Sequence, residues 1–385
     1  DDGISTDLIL GGRGGQLKRV KARTGASVWT LDLMTAIGTD GRWNTYTCQL
    51  LRDVDGDGEF DLLSAYGGDS NAAPDNMDRP PGFIVVVSGK NGELLSHIQV
   101  PDNTESYMSP VLFERGDAGE QHLLFGTGGE TTPGRLWAIS LNDLLNNNAS
   151  GAVELVDSSD ERGMIAPPSL ADFNNDGQID IAVATFGGRL IVIDGASYET
   201  IWEIQHSQTE TYISPTLGFF NDDDVPDLCV LFNKGTWPKY SGQLTQVLEG
   251  RTGALIFEKK SDYVNFSSPV AADIDADGLD EIIYSRQKGD YLALETYSTL
   301  VMLDPMHSSS HAFAKLNGFT MGSPWLGDLD SDGQLDLLMT ESHVNPESGE
   351  LEFSLNRWRL SAPVPSPISW GGYLGSTHNG HLAVD

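Results

Sequence analysis

The chain has 385 residues, and its 56 acidic and 23 basic side chains give a formal net charge of −33. This acidity argues against a nucleic-acid binder or a protein that docks on anionic lipid, because both need a basic surface. The 2 cysteines exclude a disulfide-stapled scaffold and a four-thiolate zinc site, and no apolar run is long enough for a membrane span. No leader peptide is visible at the start, so we expect a mature or trimmed protein.

An acidic segment recurs along the chain, with acids or amides at its first, third and fifth positions, Gly at its sixth and an acid at its ninth. Clear copies occupy residues 53–61, 172–180, 273–281 and 328–336. Decayed copies occupy residues 114–121 and 219–227, and residues 2–10 resemble the back half of another copy. The spacing of 47 to 61 residues between copies suits a four-stranded propeller blade with some long loops.

Other features keep the same phase as the acidic segments. A Ser-Pro or Pro-Pro pair precedes most of them, as at Ser268-Pro269. Short runs rich in β-branched residues at 83–87, 190–193 and 244–248 predict strands, and turns that contain Gly follow several such runs. Helical periodicity is hard to find, and the best candidate is one short turn at residues 141–147. The pattern therefore predicts an all-β chain.

These repeats predict a single domain, a seven-bladed β-propeller of four-stranded blades with the acidic loops between strands 1 and 2. We place the blades at residues 1–34, 43–100, 106–156, 163–205, 211–259, 265–316 and 319–362, followed by a closing segment at residues 363–385. A closed ring has no free sheet edge if the two termini share one blade. We therefore expect residues 382–384 to supply the strand that the first blade lacks, and the alternative is a flexible, unpaired tail.

The spacing of the acidic side chains predicts metal binding. Alternate oxygen ligands of a tight loop point the same way, and Gly at the sixth position permits the sharp turn. Calcium takes about six to eight oxygen ligands, which side chains and a seventh-position backbone carbonyl can supply, so we predict about four calcium ions. The predicted ligands are Asp53, Asp55, Asp57, Glu59, Asp61, Asp172, Asn174, Asp176, Gln178, Asp180, Asp273, Asp275, Asp277, Leu279, Glu281, Asp328, Asp330, Asp332, Gln334 and Asp336. The alternative is a plain acidic turn, but clustered carboxylates repel one another strongly without a cation. The decayed copies should bind weakly or not at all.

The acidic loops, set between a Ser-Pro strand and a Leu-Leu or Ile-Ile strand, resemble the FG-GAP (integrin-α-like, VCBS-type) repeats over about residues 1–384. The resemblance implies a calcium-braced propeller outside the cytoplasm, whether extracellular, at the cell surface or periplasmic, used for adhesion or ligand display. The family also includes lectins and polysaccharide lyases, so the fold does not settle the function. The Thr-Gly turns and the positions of Trp29 and Trp202 are also similar to quinoprotein propeller repeats, and we expect both tryptophans to be packing residues.

The loops after the second strands should lie on the face opposite the calcium loops. They carry the irregular insertions, and function concentrates on loops held by a rigid scaffold, so we expect this face to bind a protein or glycan ligand. The candidate residues are Tyr66, Asp69, Lys234, Trp237, Lys239 and Tyr240. Aromatic side chains interleaved with a few charges suit such a surface.

An extracellular binding or adhesion module is the main hypothesis, and a polysaccharide lyase or hydrolase on the same scaffold is the alternative. A lyase needs a base at a sugar-binding groove, and Lys234, Lys239 and Tyr240 form the only cluster that offers one. No nucleophile motif or phosphate-binding loop is present. A quinone-dependent dehydrogenase fits poorly, because the chain lacks a haem motif and adjacent cysteines, and Cys48 and Cys229 are predicted to be buried free thiols.

Overall fold

The computed structural model describes residues 7–69, 71–73, 76–116, 118–158, 162–290, 295–345 and 347–384. These residues form antiparallel strands almost throughout, with two five-residue helices and one short 3-10 helix. The chain divides into two compact units, residues 1–167 and residues 168–385. No described helix is both long and apolar enough to cross a membrane.

The first unit holds three antiparallel sheets in its described residues. Its elements are β1 (Asp7–Leu10), β2 (Gln16–Lys21), β3 (Ser27–Asp32), α1 (Leu33–Ile37), β4 (Asn44–Thr45), β5 (Gln49–Leu51), β6 (Asp61–Gly67), β7 (Phe83–Val87), β8 (Leu94–Gln99), β9 (Val111–Arg115), β10 (Glu120–Gly126), β11 (Arg135–Ser140), α2 (Leu141–Leu145), a 3-10 helix (Ala149–Gly151) and β12 (Val153–Asp157). β1 to β3 form one sheet and β9 to β12 another, while β4 and β5 both pair with β6, which continues to β7 and β8. The helical turn predicted over residues 141–147 is confirmed by α2.

The second unit holds four antiparallel sheets in its described residues. Its strands are β13 (Ser169–Ala171), β14 (Asp180–Ala184), β15 (Arg189–Ile193), β16 (Thr200–Gln205), β17 (Thr209–Glu210), β18 (Thr216–Gly218), β19 (Asp227–Thr236), β20 (Lys239–Leu248), β21 (Leu255–Ser261), β22 (Val270–Ala272), β23 (Glu281–Asp290), β24 (Glu295–Asp304), β25 (Ser309–Leu316), β26 (Trp325–Gly327), β27 (Gln334–Val344) and β28 (Leu351–Pro363). β13 to β16, β22 to β25, and β26 to β28 each pair in chain order. β17 and β18 both pair with β19, which continues to β20 and β21.

Burial decreases from the middle strands of a sheet toward its last strand. The runs predicted as strands at 83–87, 190–193 and 244–248 lie in β7, β15 and β20, so these predictions are confirmed. β7 is buried at every residue, because packing covers both faces of its sheet and β-branched side chains fit a pleated surface. In the second unit one core cluster joins Ala182, Leu228 and Ile282, which belong to three successive sheets.

Two tryptophans connect neighbouring sheets, as their predicted packing role requires. Trp29 in β3 donates its indole N–H to the Gly89 carbonyl in the β7–β8 turn at 2.9 Å. Trp202 in β16 makes the same bond to Gly250 in the β20–β21 turn at 2.7 Å. Gly92 has φ of 77°, and a Cβ there would lie 2.7 Å from the Trp29 ring, so the turn requires glycine for two reasons.

The prediction that residues 382–384 complete the first sheet is wrong in the part of the chain that the structure describes. β1 to β3 form a three-stranded sheet, and the tail bonds instead to the first strands of three sheets in the second unit. The Leu382 N–H donates to the Leu170 carbonyl at 3.0 Å, and the Ala271 and Leu326 N–H groups donate to tail carbonyls at 2.9 and 2.7 Å. Each of these first strands has three residues and an otherwise unpaired edge, which the adjacent tail satisfies.

The two cysteines are free thiols. Cys229 is fully buried, as predicted, whereas Cys48 is only partly buried. Burial raises the pKa of the Cys48 thiol to about 11, which keeps it protonated and inert at neutral pH.

Candidate metal-binding loops and ligand groove

Each clear acidic segment forms the loop between the first and second strands of its sheet. The loops lie between β5 and β6, β13 and β14, β22 and β23, and β26 and β27. All four have a positive φ, between 59° and 96°, at their fourth and sixth positions. The residues are Gly56, Asn175, Ala276 and Ser331 at the fourth position and Gly58, Gly177, Gly278 and Gly333 at the sixth. Glycine adopts a positive φ without steric cost, which explains why the sixth position is glycine in every clear copy.

The aspartate at the first position organises each loop through backbone hydrogen bonds. Asp53 Oδ1 accepts the N–H groups of Gly56 at 2.7 Å and Asp57 at 3.0 Å, and its Oδ2 accepts the Gly58 N–H at 2.8 Å. Asp172 makes the same three bonds in the second loop. The bond from Gly58 and its neighbours holds the pKa of Asp53 below its ordinary value, so this carboxylate stays ionised.

The seventh-position residues, whose carbonyls are predicted ligands, extend the same pattern. Each donates its N–H to the carboxylate of the fifth-position aspartate at 2.8 to 3.0 Å. The pairs are Glu59 with Asp57, Gln178 with Asp176, Leu279 with Asp277, and Gln334 with Asp332. The loops are therefore held by their own backbone before any ligand binds.

Three of the loops bring three carboxylates together. In each group one oxygen of every residue lies within 4.8 Å of the others. The groups are Asp53, Asp55 and Asp57; Asp273, Asp275 and Glu281; and Asp328, Asp330 and Asp332. Hard oxygen donors at this spacing fit a divalent cation such as calcium. In the second loop Asn174 replaces one acid, and its Nδ2 donates to Asp194 Oδ2 at 3.0 Å.

The ninth-position acid has a structural role that the sequence analysis missed. Asp61 and Asp180 are fully buried, and Asp180 accepts the N–H groups of Phe173 at 2.9 Å and Gly195 at 3.1 Å. Because Gly195 lies in the β15–β16 turn, the carboxylate joins the acidic loop to a turn of the same sheet. Burial raises the pKa of Asp180 to about 6.

The decayed segment at residues 219–227 keeps this junction, although Phe219 replaces its first acid. Asp227 is fully buried and accepts the N–H groups of Phe220 at 3.1 Å and Gly250 at 3.2 Å. Burial raises the pKa of Asp227 to about 7. The ninth acid thus persists where the first is lost, and this is the sequence signal that could have revealed its structural role.

Two arginines of β28 reach the fourth loop. Arg357 donates from Nε and Nη2 to the two oxygens of Asp336, both at 2.8 Å, and its Nη2 also lies 2.7 Å from Asp330 Oδ2. Arg359 Nη2 lies 2.7 Å from Asp330 Oδ2 and 3.2 Å from Asp332 Oδ2. The hydrogen bonds from Arg357 hold the pKa of Asp336 below its ordinary value. Two guanidinium groups therefore already balance part of the negative charge of this loop.

The third loop lacks such charges. Within the described ranges, no Lys or Arg forms an ion pair with Asp273, Asp275 or Glu281. Burial raises the pKa of Glu281 to about 7. The first loop has one basic contact, since Arg19 forms an ion pair with its Glu59.

Two residues predicted for the ligand face, Tyr66 and Asp69, lie outside the β19–β20 hairpin. Tyr66 is 0% exposed, its hydroxyl donates to the Gly41 carbonyl at 3.1 Å, and its ring centroid lies 6.3 Å from that of Phe83. The prediction for Tyr66 is therefore corrected: it is a core residue of the first unit. Asp69 is partly buried, and its Oδ1 accepts the Asn71 N–H at 2.9 Å, a contact typical of a turn.

The other four predicted residues lie on the β19–β20 hairpin. Trp237, in its turn, is 40% exposed and donates its backbone N–H to Glu210 Oε2 at 3.0 Å. The Tyr240 hydroxyl donates to the same carboxylate and lies 3.0 Å from the Tyr212 hydroxyl. Burial raises the pKa of Tyr240 above its ordinary value, so Tyr240 supports the hairpin and is a poor base.

An open groove of about 890 Å³ runs beside the hairpin. Lys234 and Lys239 line it from the hairpin, and Lys260 lines it from β21. Gln208 and Thr209, at the start of β17, line the groove as well. The groove lies at the end of the sheet opposite the loop at residues 219–227, and its volume is in the range of ligand sites.

No protein-family model and no curated protein sequence matches the chain. The quinohemoprotein alcohol dehydrogenase from Comamonas testosteroni resembles it in structure with a TM-score of 0.57 at 10% identity, over 94% of this chain and 67% of that chain. The europium-containing methanol dehydrogenase has a TM-score of 0.56 at 8% identity, over 97% of this chain and 73% of that one. The Dos1 propeller has a TM-score of 0.53 at 12% identity, over 92% and 75%. Identities this low show the fold alone, and by its fold the chain is a β-propeller.

Proposed function

We propose that the chain is a calcium-braced binding module that acts outside the cytoplasm and presents a loop face to a protein or glycan ligand. The observation that carries the proposal is the convergence of three carboxylates within 4.8 Å at the same place in three sheets. The FG-GAP resemblance of these loops favours calcium among the divalent cations.

Charge repulsion gives calcium its role as a brace. Two unit charges about 4.8 Å apart repel by about 0.9 kcal/mol in water, and by several times more at the lower effective dielectric near a protein surface. A group of three carboxylates therefore destabilises the fold unless a cation balances it. In the first loop Asp53, Asp55 and Asp57, with the Glu59 carbonyl, would hold the ion, which supplies that positive charge.

Calcium availability supports a location outside the cytoplasm. Calcium sites of extracellular modules have dissociation constants of about 10⁻⁴ to 10⁻³ M, which extracellular calcium fills and cytosolic calcium does not. Bound calcium would also offset part of the net charge of −33.

The hairpin favours binding over catalysis. Tyr240 is the aromatic candidate for a lyase base, but its hydroxyl contacts Glu210 and Tyr212 and its pKa is raised by burial. A phenol in this environment does not accept a proton near neutral pH. Trp237, in contrast, is 40% exposed and suits a contact surface.

Thermal unfolding of the full chain, with chelator and with about 1 mM calcium, tests the calcium part of the proposal. We expect calcium to raise Tm by about 5 °C, because about four sites each contribute about 1 kcal/mol and each 1 kcal/mol shifts the Tm of a chain of this length by about 1 °C. Magnesium at the same concentration is the control and should stabilise less, because it demands a stricter octahedral geometry. An unchanged Tm, together with no heat of calcium binding, would show that the loops are plain acidic turns.

The binding part is tested by incubating the chain with candidate polysaccharides and analysing the products by size. A binding module leaves the chains intact, whereas shortened products would establish the lyase or hydrolase alternative.

A further inference from the structure

The groove beside the β19–β20 hairpin is basic on an acidic chain. Lys234, Lys239 and Lys260 line it together with one acidic residue, Glu258. At the ratio of 56 acidic to 23 basic residues, three lysines would be accompanied on average by about seven acidic residues (3 × 56/23). The local field therefore favours an anion even though the net charge is −33.

The one acid of the groove is already engaged. A Glu258 oxygen lies 3.1 Å from Lys260 Nζ, and its other oxygen accepts from Gln246 Nε2 at 3.0 Å. Among the residues described, neither Lys234 nor Lys239 has an ion-pair partner. Two ammonium groups therefore remain for an external anion, and each can donate several hydrogen bonds to it.

Contacts with Glu210 and Phe266 hold the hairpin that carries these lysines. Glu210 is 2% exposed, and it accepts both the Trp237 backbone N–H and the Tyr240 hydroxyl. The Trp237 ring meets the Phe266 ring edge-on, with centroids 5.7 Å apart and planes at 79°. These contacts fix the turn of the hairpin, whose residues Thr236 and Lys239 line the groove.

The rest of the lining favours a sugar over a peptide. Gln205, Gln208, Ser207 and Ser241 bring amide and hydroxyl groups, which can pair with sugar hydroxyls as donors and acceptors. Leu244 is the one aliphatic side chain among the lining residues, all of which the structure describes. Peptide interfaces depend on aromatic and aliphatic anchors in apolar pockets, and such pockets are not part of this groove.

We propose that this groove binds an acidic oligosaccharide, whose carboxylate or sulfate groups pair with Lys234 and Lys239 while its hydroxyl groups bond to the polar side chains of the lining. The inference rests on the proposed function, because it names the ligand class of the same loop face. No covalent step is involved.

Calorimetric titration of the full chain with three probes tests the inference: sodium hexagalacturonate, its fully methyl-esterified form, and a heparin-derived sulfated hexasaccharide. At least one anionic probe should bind about tenfold more tightly than the neutral ester. The better of the two identifies the anionic group. Affinity should fall as NaCl rises from about 50 to about 300 mM, because salt screens exposed charges.

Paired variants connect the binding to the groove. The double variant Lys234→Gln, Lys239→Gln should lose about tenfold in affinity for the anionic probes. The double variant Lys18→Gln, Lys21→Gln removes the same charge from exposed positions of β2, and it should bind like the unaltered chain.

Three results would overturn the inference. Equal binding of the ester and the anionic probes would leave a glycan-binding module but remove the anionic ligand. Equal losses in both lysine variants would assign the effect to net charge rather than to the groove. Lysine-dependent binding of polyglutamate without binding of any sugar would establish an acidic peptide ligand. The calcium-induced rise in Tm, measured on the same samples, decides the calcium part of the proposed function separately.

Discussion

The third and fourth acidic loops share one sequence pattern and one backbone path, yet their negative charge is balanced differently. In the third loop Asp273, Asp275 and Glu281 converge within 4.8 Å and have no basic partner in the described part of the chain. In the fourth loop Arg357 and Arg359 contact the carboxylates directly.

Strand register shows where this difference arises. Arg357 lies opposite Leu338, two residues after the ninth acid of the fourth loop. At the equivalent place in the third sheet, Met302 lies opposite Ile283, two residues after Glu281. One cross-strand position therefore supplies a built-in cation in one sheet and an apolar side chain in the other. The number of calcium sites therefore cannot be read from the acidic motif alone. The charge balance of each loop depends on a residue of the third strand of its sheet, which lies outside the motif.

Replacing Trp370 should have the largest effect, because it removes a support that both loops share. The Trp370 side chain is 0% exposed and packs in the core cluster that includes Ala271 of β22, and this packing holds the tail whose backbone pairs with β22 and β26. Trp370→Ala should lower the free energy of unfolding by about 3–5 kcal/mol in urea, with and without calcium alike. Phe353→Ala, at a side chain 75% exposed, is the control and should stay within about 0.5 kcal/mol. A similar small effect for both variants would contradict the role given to the tail.

Asp227 tests the ninth acid in a segment whose described residues form neither a convergent group of three carboxylates nor an ion pair with an arginine. Its folded pKa of about 7 exceeds the ordinary 3.8, so its stabilising contribution is complete below about pH 4 and is lost as pH rises through about 7. A shift of this size corresponds to at most about 4 kcal/mol. In chelator, Asp227→Asn should flatten the decline of unfolding free energy over this window. The exposed Asp222→Asn is the control, and an unchanged slope in the Asp227 variant would refute the assignment.

Arg357→Met gives the fourth loop the residue type of the third, Met302. It leaves the buried Asp336 without its bidentate partner, so Tm in chelator should fall by about 5 °C. Calcium should now restore part of the loss, since a cation can take the place of the guanidinium. Arg251→Met, at an exposed arginine in the β20–β21 turn, is the control. If calcium does not reduce the fall in Tm, Arg357 does not stabilise the loop by balancing its negative charge.

The smallest effects should come from single carboxylates of the two loops. Asp275→Asn should lower the calcium-induced gain in stability by about 1 kcal/mol, because the third loop loses a ligand. Asp330→Asn should change it less, since Arg357 and Arg359 already contact Asp330. Both are measured as the change in Tm on adding calcium. Equal losses in the two variants would contradict the difference in charge balance between the third and fourth loops.

Much of the fold could be predicted because its signals repeat. The strands at residues 83–87 and 190–193 are short β-branched runs in fixed phase with the acidic loops, and they are strands in the structure. Trp29 and Trp202 were recognisable as packing residues because they occupy equivalent positions. Tyr66 was misassigned because it borders an irregular insertion, whereas it is a core residue of β6 that lies opposite Phe83.

The ligand side was only partly predictable. Lys234, Trp237, Lys239 and Tyr240 are close in sequence, so their presence on one hairpin followed from the turn between them. Their different roles could not be predicted, because the Tyr240 hydroxyl donates to Glu210, which lies 30 residues earlier in the chain. Burial of that carboxylate appears only when β17 pairs with β19.

The propeller fold and the shape of the acidic loops were thus predictable from local patterns, because each loop is held by hydrogen bonds among nine consecutive residues. Which loop has a built-in cation and where the tail pairs depend on contacts between distant parts of the chain. Arg357 reaches Asp336 across 21 residues, and Ser369 of the tail reaches Asp280 across 89. Such contacts form only when distant strands meet, and no local pattern encodes them.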